Sequence, residues 1–191
     1  FLTRATYNGD RDIVIGIPVR GRNHADTESL MGHFVNMLPV RLDVPRGGEL
    51  RELVHATRSV LLDALSAPDI RLEDIAEMRS GLDGAANSIL YHAQFSFQDI
   101  RDRITHWGPL SHQRIDIDQP GIAEDLNLWA VDRGDRGIEA ALLYNSDLFK
   151  EETIRGIVAH YERTLAALAQ DPRQSPEIAM THGDTDKTKE S

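Results

Sequence analysis

Leu38, Val40, Leu42 and Val44 alternate with other residues, and this two-residue period constrains the fold more than any other feature of the sequence. Only an extended strand keeps those four side chains on one side, so a strand with one apolar face is expected over about 37–44. The run leading into it, Met31-Gly32-His33-Phe34-Val35-Asn36-Met37, is less regular. Gly32 lets the backbone bend or approach another group closely. Asn36 brings an amide donor and acceptor into apolar company and must find a partner. Two roles are open to it on chemistry alone: a turn cap ahead of a core strand, or an amide that faces a ligand.

Other segments alternate in the same way. Ile13, Ile15 and Ile17 oppose Val14 and predict a strand over 12–18 that is covered on both faces. Ala93, Phe95 and Phe97 oppose Gln94, Ser96 and Gln98 and predict a half-buried strand over 90–98. Two further strands are expected at 125–131 and 138–145, joined by the hairpin loop Arg133-Gly134-Asp135-Arg136-Gly137, and a short one around 114–117.

Against these stand two long segments with apolar spacings of three and four. Leu50, Leu53, Val54, Thr57, Val60, Leu61, Ala64 and Leu65 predict a helix over 49–65, with Glu49 and Glu52 suited to its N-terminal dipole. Ile154, Ile157, Val158, Tyr161, Leu165 and Leu168 predict the buried face of a closing helix over 150–169. Shorter helices are expected at 1–6 and 72–78, and turns at Gly47-Gly48 and Gly81–Gly84. The fold class that follows is α/β, an α+β two-layer sandwich lobe over residues 1–170. Pro172, Pro176 and the polar run 181–191 read as a linker or disordered tail over 171–191.

Charge narrows the function. The chain carries 21 Lys and Arg against 31 Asp and Glu, a net charge of -10. That balance argues against a nucleic-acid or anionic-membrane surface, which needs a clustered positive patch. No apolar stretch approaches the ~18 residues that span a bilayer. Cysteine is absent, which removes disulfide and thiol chemistry and fits a cytoplasmic location. The eight histidines, at 24, 33, 55, 92, 106, 112, 160 and 182, show no metal-ligand spacing, so no metal site is expected. His55 and His160 are expected at helix surfaces or boundaries. Asp147 is a carboxylate in an apolar run, but Asn145, Ser146 and Asp147 are all capping types ahead of a helix, so a turn or helix start is its expected role.

Four segments in order resemble one family. Gly32-His33-Phe34-Val35-Asn36 with Arg41 is similar to the Gly-x-Phe-Val-Asn-Thr-x-x-x-Arg block of nonribosomal peptide synthetase condensation domains, with Met37 where the family usually has Thr. Upstream, the run from Asp12 to Arg22 resembles the family's strand and Gly-Arg turn. Glu124-Asp125-Leu126 resembles its Asp-Leu strand, and Tyr144-Asn145-Ser146-Asp147-Leu148-Phe149 its Tyr-x-x-Asp-Leu-Phe approach to the last helix. Two blocks depart from the pattern. Only Asp69 and Glu73 match where the family has His-Gln-Asp-x-Pro-Phe-Glu, and the later Arg-Asp-x-Ser block is reduced to Asn87-Ser88-Ile89-Leu90.

The resemblance implies a chloramphenicol acetyltransferase-like fold of two lobes, with this chain as the C-terminal half. The His-His-x-x-x-Asp-Gly motif of the other half does not occur here, so no catalytic residue is expected in this chain. Gly32, Phe34 and Asn36 would line the substrate channel, while Arg22, Arg41, Asp125, Tyr144 and Asp147 would be structural. The implied reaction forms an amide between a carrier-bound thioester donor and an aminoacyl acceptor. No cofactor would bind directly, since carrier domains deliver the phosphopantetheine arm. The implied partners are the N-terminal lobe, carrier domains and a neighbouring adenylation domain. Phe34-Val35-Asn36 favours condensation over epimerization, where the block tends to read Gly-x-Phe-Thr. A CoA-dependent acyltransferase, a cyclizing variant and a non-catalytic module that recruits partner proteins stay open.

Overall fold

The computed structural model describes residues 1–67, 69–72, 74, 75, 77, 78, 90–99, 108–110 and 121–177. Five strands form one mixed sheet: β1 (Asp12–Val19), β2 (Asn36–Asp43), β3 (Ala93–Asp99), β4 (Leu126–Asp132) and β5 (Ile138–Tyr144). Their order across the sheet is β2-β1-β3-β4-β5. The central strands β1, β3 and β4 are parallel, and β2 and β5 run antiparallel at the two edges. Pro39 therefore stands on an edge strand, where its missing N–H costs no ladder bond in the sheet interior.

Register turns the alternation into a common face. Ile13 lies opposite Leu42 and Ile15 opposite Val40; Ile15 also meets Ala93, which meets Leu126. All six are buried. Among the described residues three helices cover that face: α1 (Leu2–Asn8), α2 (Leu50–Leu65) and α3 (Glu151–Gln170). Leu2 and Ala5 of α1 join Ile13, Ile15, Leu42, Val44, Leu50 and Leu53 in one cluster, against which Ala167 and Leu168 of α3 pack. A second cluster unites Ala93 and Leu126 with Ile154 and Ile157. Burying each such side chain stabilises the layer by about 1.5–3 kcal/mol.

The chain begins α2 with a reciprocal capping box, in which the Glu49 N–H donates to Glu52 Oε2 at 2.9 Å and the Glu49 side chain accepts a bond from the backbone N–H of Glu52. The next two N–H groups, of Leu50 and Arg51, donate to the carbonyls of Gln174 and Pro172, both at 2.8 Å. Residues 171–177, the start of the stretch expected to be linker or tail, are thus packed against the start of α2, and Pro176 is buried. Backbone partners at a helix N-terminus are a signal that composition does not carry.

The closing helix differs from expectation in its facing. Leu165, assigned to its buried face, is 48% exposed, whereas His160, expected at the surface or boundary, is 1% exposed. Its inward line runs through Ile154, Ile157, His160 and Thr164 towards Ala167 and Leu168. His160 Nδ1 lies 3.2 Å from Thr3 Oγ1, and its ring meets that of Tyr7 edge-on at 5.9 Å. A buried imidazole held by a hydroxyl is invisible to a count of apolar positions. α2 differs similarly: Leu50 and Leu53 are buried, but Val54 and Leu65 are exposed. Of 72–78, the described residues Leu72, Asp74, Ile75, Glu77 and Met78 are helical. The expected strand at 114–117 and the turn Gly81–Gly84 lie outside the described residues.

Candidate functional site

Because β1, β3 and β4 are parallel, their C-terminal ends share one edge of the sheet with the start of β2. That edge gathers the turn after β1, the run before β2 and the loop after α2. Arg22 is the hub. Its guanidinium sits 4.2 Å from the centroid of the Phe34 ring, a cation–π contact. Nη1 donates to the carbonyl of Thr27, and Nη2 to that of Gly32 at 3.4 Å. Gly21, at φ +64°, allows the turn to lie flush against the run, since a Cβ there would fall 1.7 Å from the Phe34 carbonyl oxygen. A Cβ on Gly32 would come within 3.2 Å of the Phe34 ring.

The third segment is tied in by amides. Asn23 Nδ2 donates to Asp69 Oδ1 at 2.9 Å, and Asn36 Nδ2 donates to the Ile70 carbonyl at 2.9 Å. Asn36 Oδ1 accepts from the Met37 N–H at 2.9 Å. Of the three channel residues expected from sequence, Gly32, Phe34 and Asn36 are therefore brought together, and Arg22, expected to be structural, joins them. Phe34 and Asn36 are half-buried, while Met31, His33 and Val35 are exposed. Asp69, one of two matches in a departing block, belongs to this cluster; Glu73 and Asn87–Ile89 lie outside the described residues.

The other expected residues sit elsewhere. Arg41 is on the sheet face opposite the helices, diagonal to Asp12 across the β1–β2 pair, with Nε to Oδ1 at 2.7 Å and Nη2 to Oδ2 at 2.5 Å. That bidentate bond holds the Asp12 carboxyl below the usual carboxylate range and raises the Arg41 guanidinium. Both lie on an open cleft of about 820 Å³ at the opposite edge of the sheet, lined also by Asp10, Arg11, Asp43 and Arg46. Within its lining Arg11 donates to the Pro45 carbonyl at 3.0 Å.

Asp125 accepts from His92, Nδ1 to Oδ2 at 2.7 Å. The pairing follows from register: Ala93 meets Leu126, so the residues just before them are neighbours. The sequence holds His92 and Asp125 33 positions apart, and only the parallel pairing of their strands joins them. Tyr144 ends β5 opposite Leu126 and packs with Phe149 and Leu142 against the second core cluster. Asp147 is exposed in a turn where its N–H donates to Asn145 Oδ1 at 3.0 Å. Asn145 thus shapes the turn; the N-cap of α3 is Lys150, with no side-chain cap, so Asp147 does not cap the helix. Among the described residues no group of three His, Asp or Glu could hold a metal ion, and no helix is long and apolar enough to cross a membrane.

The sequence model of the condensation domain family matches residues 2–189. Surfactin synthase subunit 1 of Bacillus subtilis is 33% identical over 168 residues, covering 88% of this chain and 5% of that protein. Malpinin synthetase of Mortierella alpina is 31% identical over 167 residues, 87% of this chain but 2% of that one. The chain thus spans a small fraction of the length of these relatives. Among solved structures, the condensation domain from the Monacolin K polyketide synthase MokA superposes with a TM-score of 0.79 at 17% identity, over 92% of this chain and 40% of that one. The X-domain from teicoplanin biosynthesis gives 0.74 at 25% identity, over 92% and 42%. The fold is that of the chloramphenicol acetyltransferase-like class, and by the extent of the family match this chain belongs to the condensation domain family.

Proposed function

We propose that this chain is the C-terminal lobe of a two-lobed nonribosomal peptide synthetase condensation domain. In that reading the complete domain forms an amide bond between a carrier-bound thioester donor and a carrier-bound aminoacyl acceptor. The observation that carries it is the family match over residues 2–189 in a chain that covers only 40% of the MokA condensation domain. A lobe of that extent needs a counterpart to close a channel. The histidine that orients the amine or handles its proton would come from that counterpart. This lobe contributes the wall built from Gly32–Asn36. Carrier domains bring both reactants on phosphopantetheine arms, a neighbouring adenylation domain supplies the acceptor, and the work is cytoplasmic.

A second reading is a non-catalytic module that recruits a partner protein. It is favoured by the 25% identity to the teicoplanin X-domain, which has been solved in a complex with OxyB. The engagement of the Asn36 amide by the Ile70 carbonyl also favours it.

One assay separates the two. The complete domain is supplied with loaded donor and acceptor carriers, and amide product is followed by mass. Product formation that disappears when the counterpart lobe is withheld supports the condensation reading. No product from a domain whose counterpart carries an intact His-His-x-x-x-Asp-Gly would overturn it in favour of recruitment.

A further inference from the structure

We infer that Arg22 is the positioning residue of the Gly32–Asn36 wall, and that it acts through Phe34 without touching the reactants. The inference rests on the condensation reading above. Three observations carry it. First, a single guanidinium makes three different contacts, two with the run leading into β2, over the Phe34 ring at 4.2 Å and to the Gly32 carbonyl at 3.4 Å, and one with the turn after β1, to the Thr27 carbonyl. Its planar fork does all three at once, which an ammonium on a flexible stem cannot.

Second, Phe34 and Asn36 turn inward while His33 and Val35 stay exposed, Val35 at 47%. The inward residues are held by Arg22 and Ile70, so the outward side chains are the ones a reactant can meet. The placement of Val35 and His33 is thus set from behind. Third, the residues flanking Arg22 are committed to the same task. Gly21 lies flush with the Phe34 carbonyl, and Asn23 ties the turn to Asp69 on the loop whose Ile70 holds Asn36. Within this clamp, Arg22 grips the run through both a ring and the backbone.

The test uses the complete domain and compares Arg22→Lys, Phe34→Leu and the double variant. Initial rates are measured against acceptor-carrier and donor-carrier concentrations, at a temperature well below each variant's melting midpoint. Misplacement of a positioning wall by an ångström costs up to about 100-fold in rate. Arg22→Lys is expected to lower kcat by about tenfold or more with KM for either carrier within about twofold. Phe34→Leu is expected to lower it comparably, and the double variant to be no worse than the poorer single one, because both remove the same contact.

A purely structural role would shift melting and leave kcat of the folded fraction unchanged. Should Arg22→Lys retain the unmodified rate, or the two losses multiply in the double variant, the inference is overturned while the condensation reading survives. Should Arg22→Lys fail to fold, Phe34→Leu alone decides, since it keeps both carbonyl bonds of Arg22: an unchanged kcat overturns the inference, and a tenfold loss at unchanged KM supports it. An unmodified domain that makes no amide refutes the condensation reading and this inference with it.

Discussion

Gly21→Ala tests the clamp at its tightest point, and Gly9→Ala supplies the matched control. Both glycines adopt a left-handed backbone, at φ +64° and +70°. A side chain in that region costs about 1–2 kcal/mol. At Gly9 nothing lies within 4 Å of the added methyl, so that cost stands alone. At Gly21 the methyl would fall 1.7 Å from a backbone oxygen, against the 3.0 Å that real Cβ contacts respect, so the Phe34 carbonyl must withdraw by 3.0 − 1.7 = 1.3 Å. Backbone cannot rotate out of the way as a side-chain tip can. A shift of that size opens the 4.2 Å contact between Arg22 and the Phe34 ring, worth about 0.5–1 kcal/mol at a half-exposed site, and strains the start of β2. These terms sum to about 1.5–3 kcal/mol, and with the strain at the start of β2 the total for Gly21→Ala is about 3 kcal/mol. At about 2–4 °C per kcal/mol for a chain of this size, Gly9→Ala lowers the melting midpoint by about 2–8 °C and Gly21→Ala by about 6–12 °C. Calorimetry on both variants, under identical buffer and scan rate, measures the difference. Equal losses within a degree would mean that the turn does not lie flush with Phe34, and the clamp would have to be redrawn.

Other expectations follow from single contacts. His160→Ala removes a 1%-exposed side chain and its bond to Thr3, so urea unfolding should report a loss of about 2–4 kcal/mol; a neutral result would mean that α3 presents another face to α1. The depressed Asp12 carboxyl gives a pair contribution that is present above the ordinary carboxylate range and lost as pH falls through the lowered folded value. NMR titration of Asp12 should therefore show its midpoint rising in Arg41→Ala, and an unmoved midpoint would deny the bidentate bond. Burial, with Glu124 nearby, raises the Tyr91 phenol, so its contribution is present below the ordinary tyrosine value and lost as pH rises through the folded one. Alkaline unfolding monitored by circular dichroism should begin at higher pH in Tyr91→Phe, and coincident curves would place the phenol in water.

The strands and long helices were legible because their signals are local. A period of two marks β2 whatever it pairs with, and Leu50 and Leu53 announce α2 before any contact is known. Facing was less legible. The inward line of α3 contains two polar residues, His160 and Thr164, and His160 is held by Thr3 and Tyr7, more than 150 positions away. Apolar spacing drew the face towards Leu165, which is exposed. Hydrogen-bonded burial depends on a partner, and the partner here belongs to another helix.

The site divides along the same line. Gly32, Phe34 and Asn36 could be grouped because they fall within one short run of sequence, but their division of labour could not, because it is made by residues from three segments. Asn36 reads in the sequence as an amide that could face a ligand, yet its donor goes to the Ile70 carbonyl, and Arg22, which reads as the end of a turn, is the group that touches Phe34. Matched residue by residue, the block around Asp69 departs from the family pattern. In three dimensions it still supplies a carboxylate to Asn23 and a carbonyl to Asn36. The carbonyl contact needs no particular side chain at Ile70. A loop that serves the wall through its backbone can change its sequence while keeping that contact, so erosion of the block does not by itself dismantle the wall. What the wall cannot survive is loss of the groups that act through shape: a flat guanidinium at Arg22, a ring at Phe34 and a missing Cβ at Gly21.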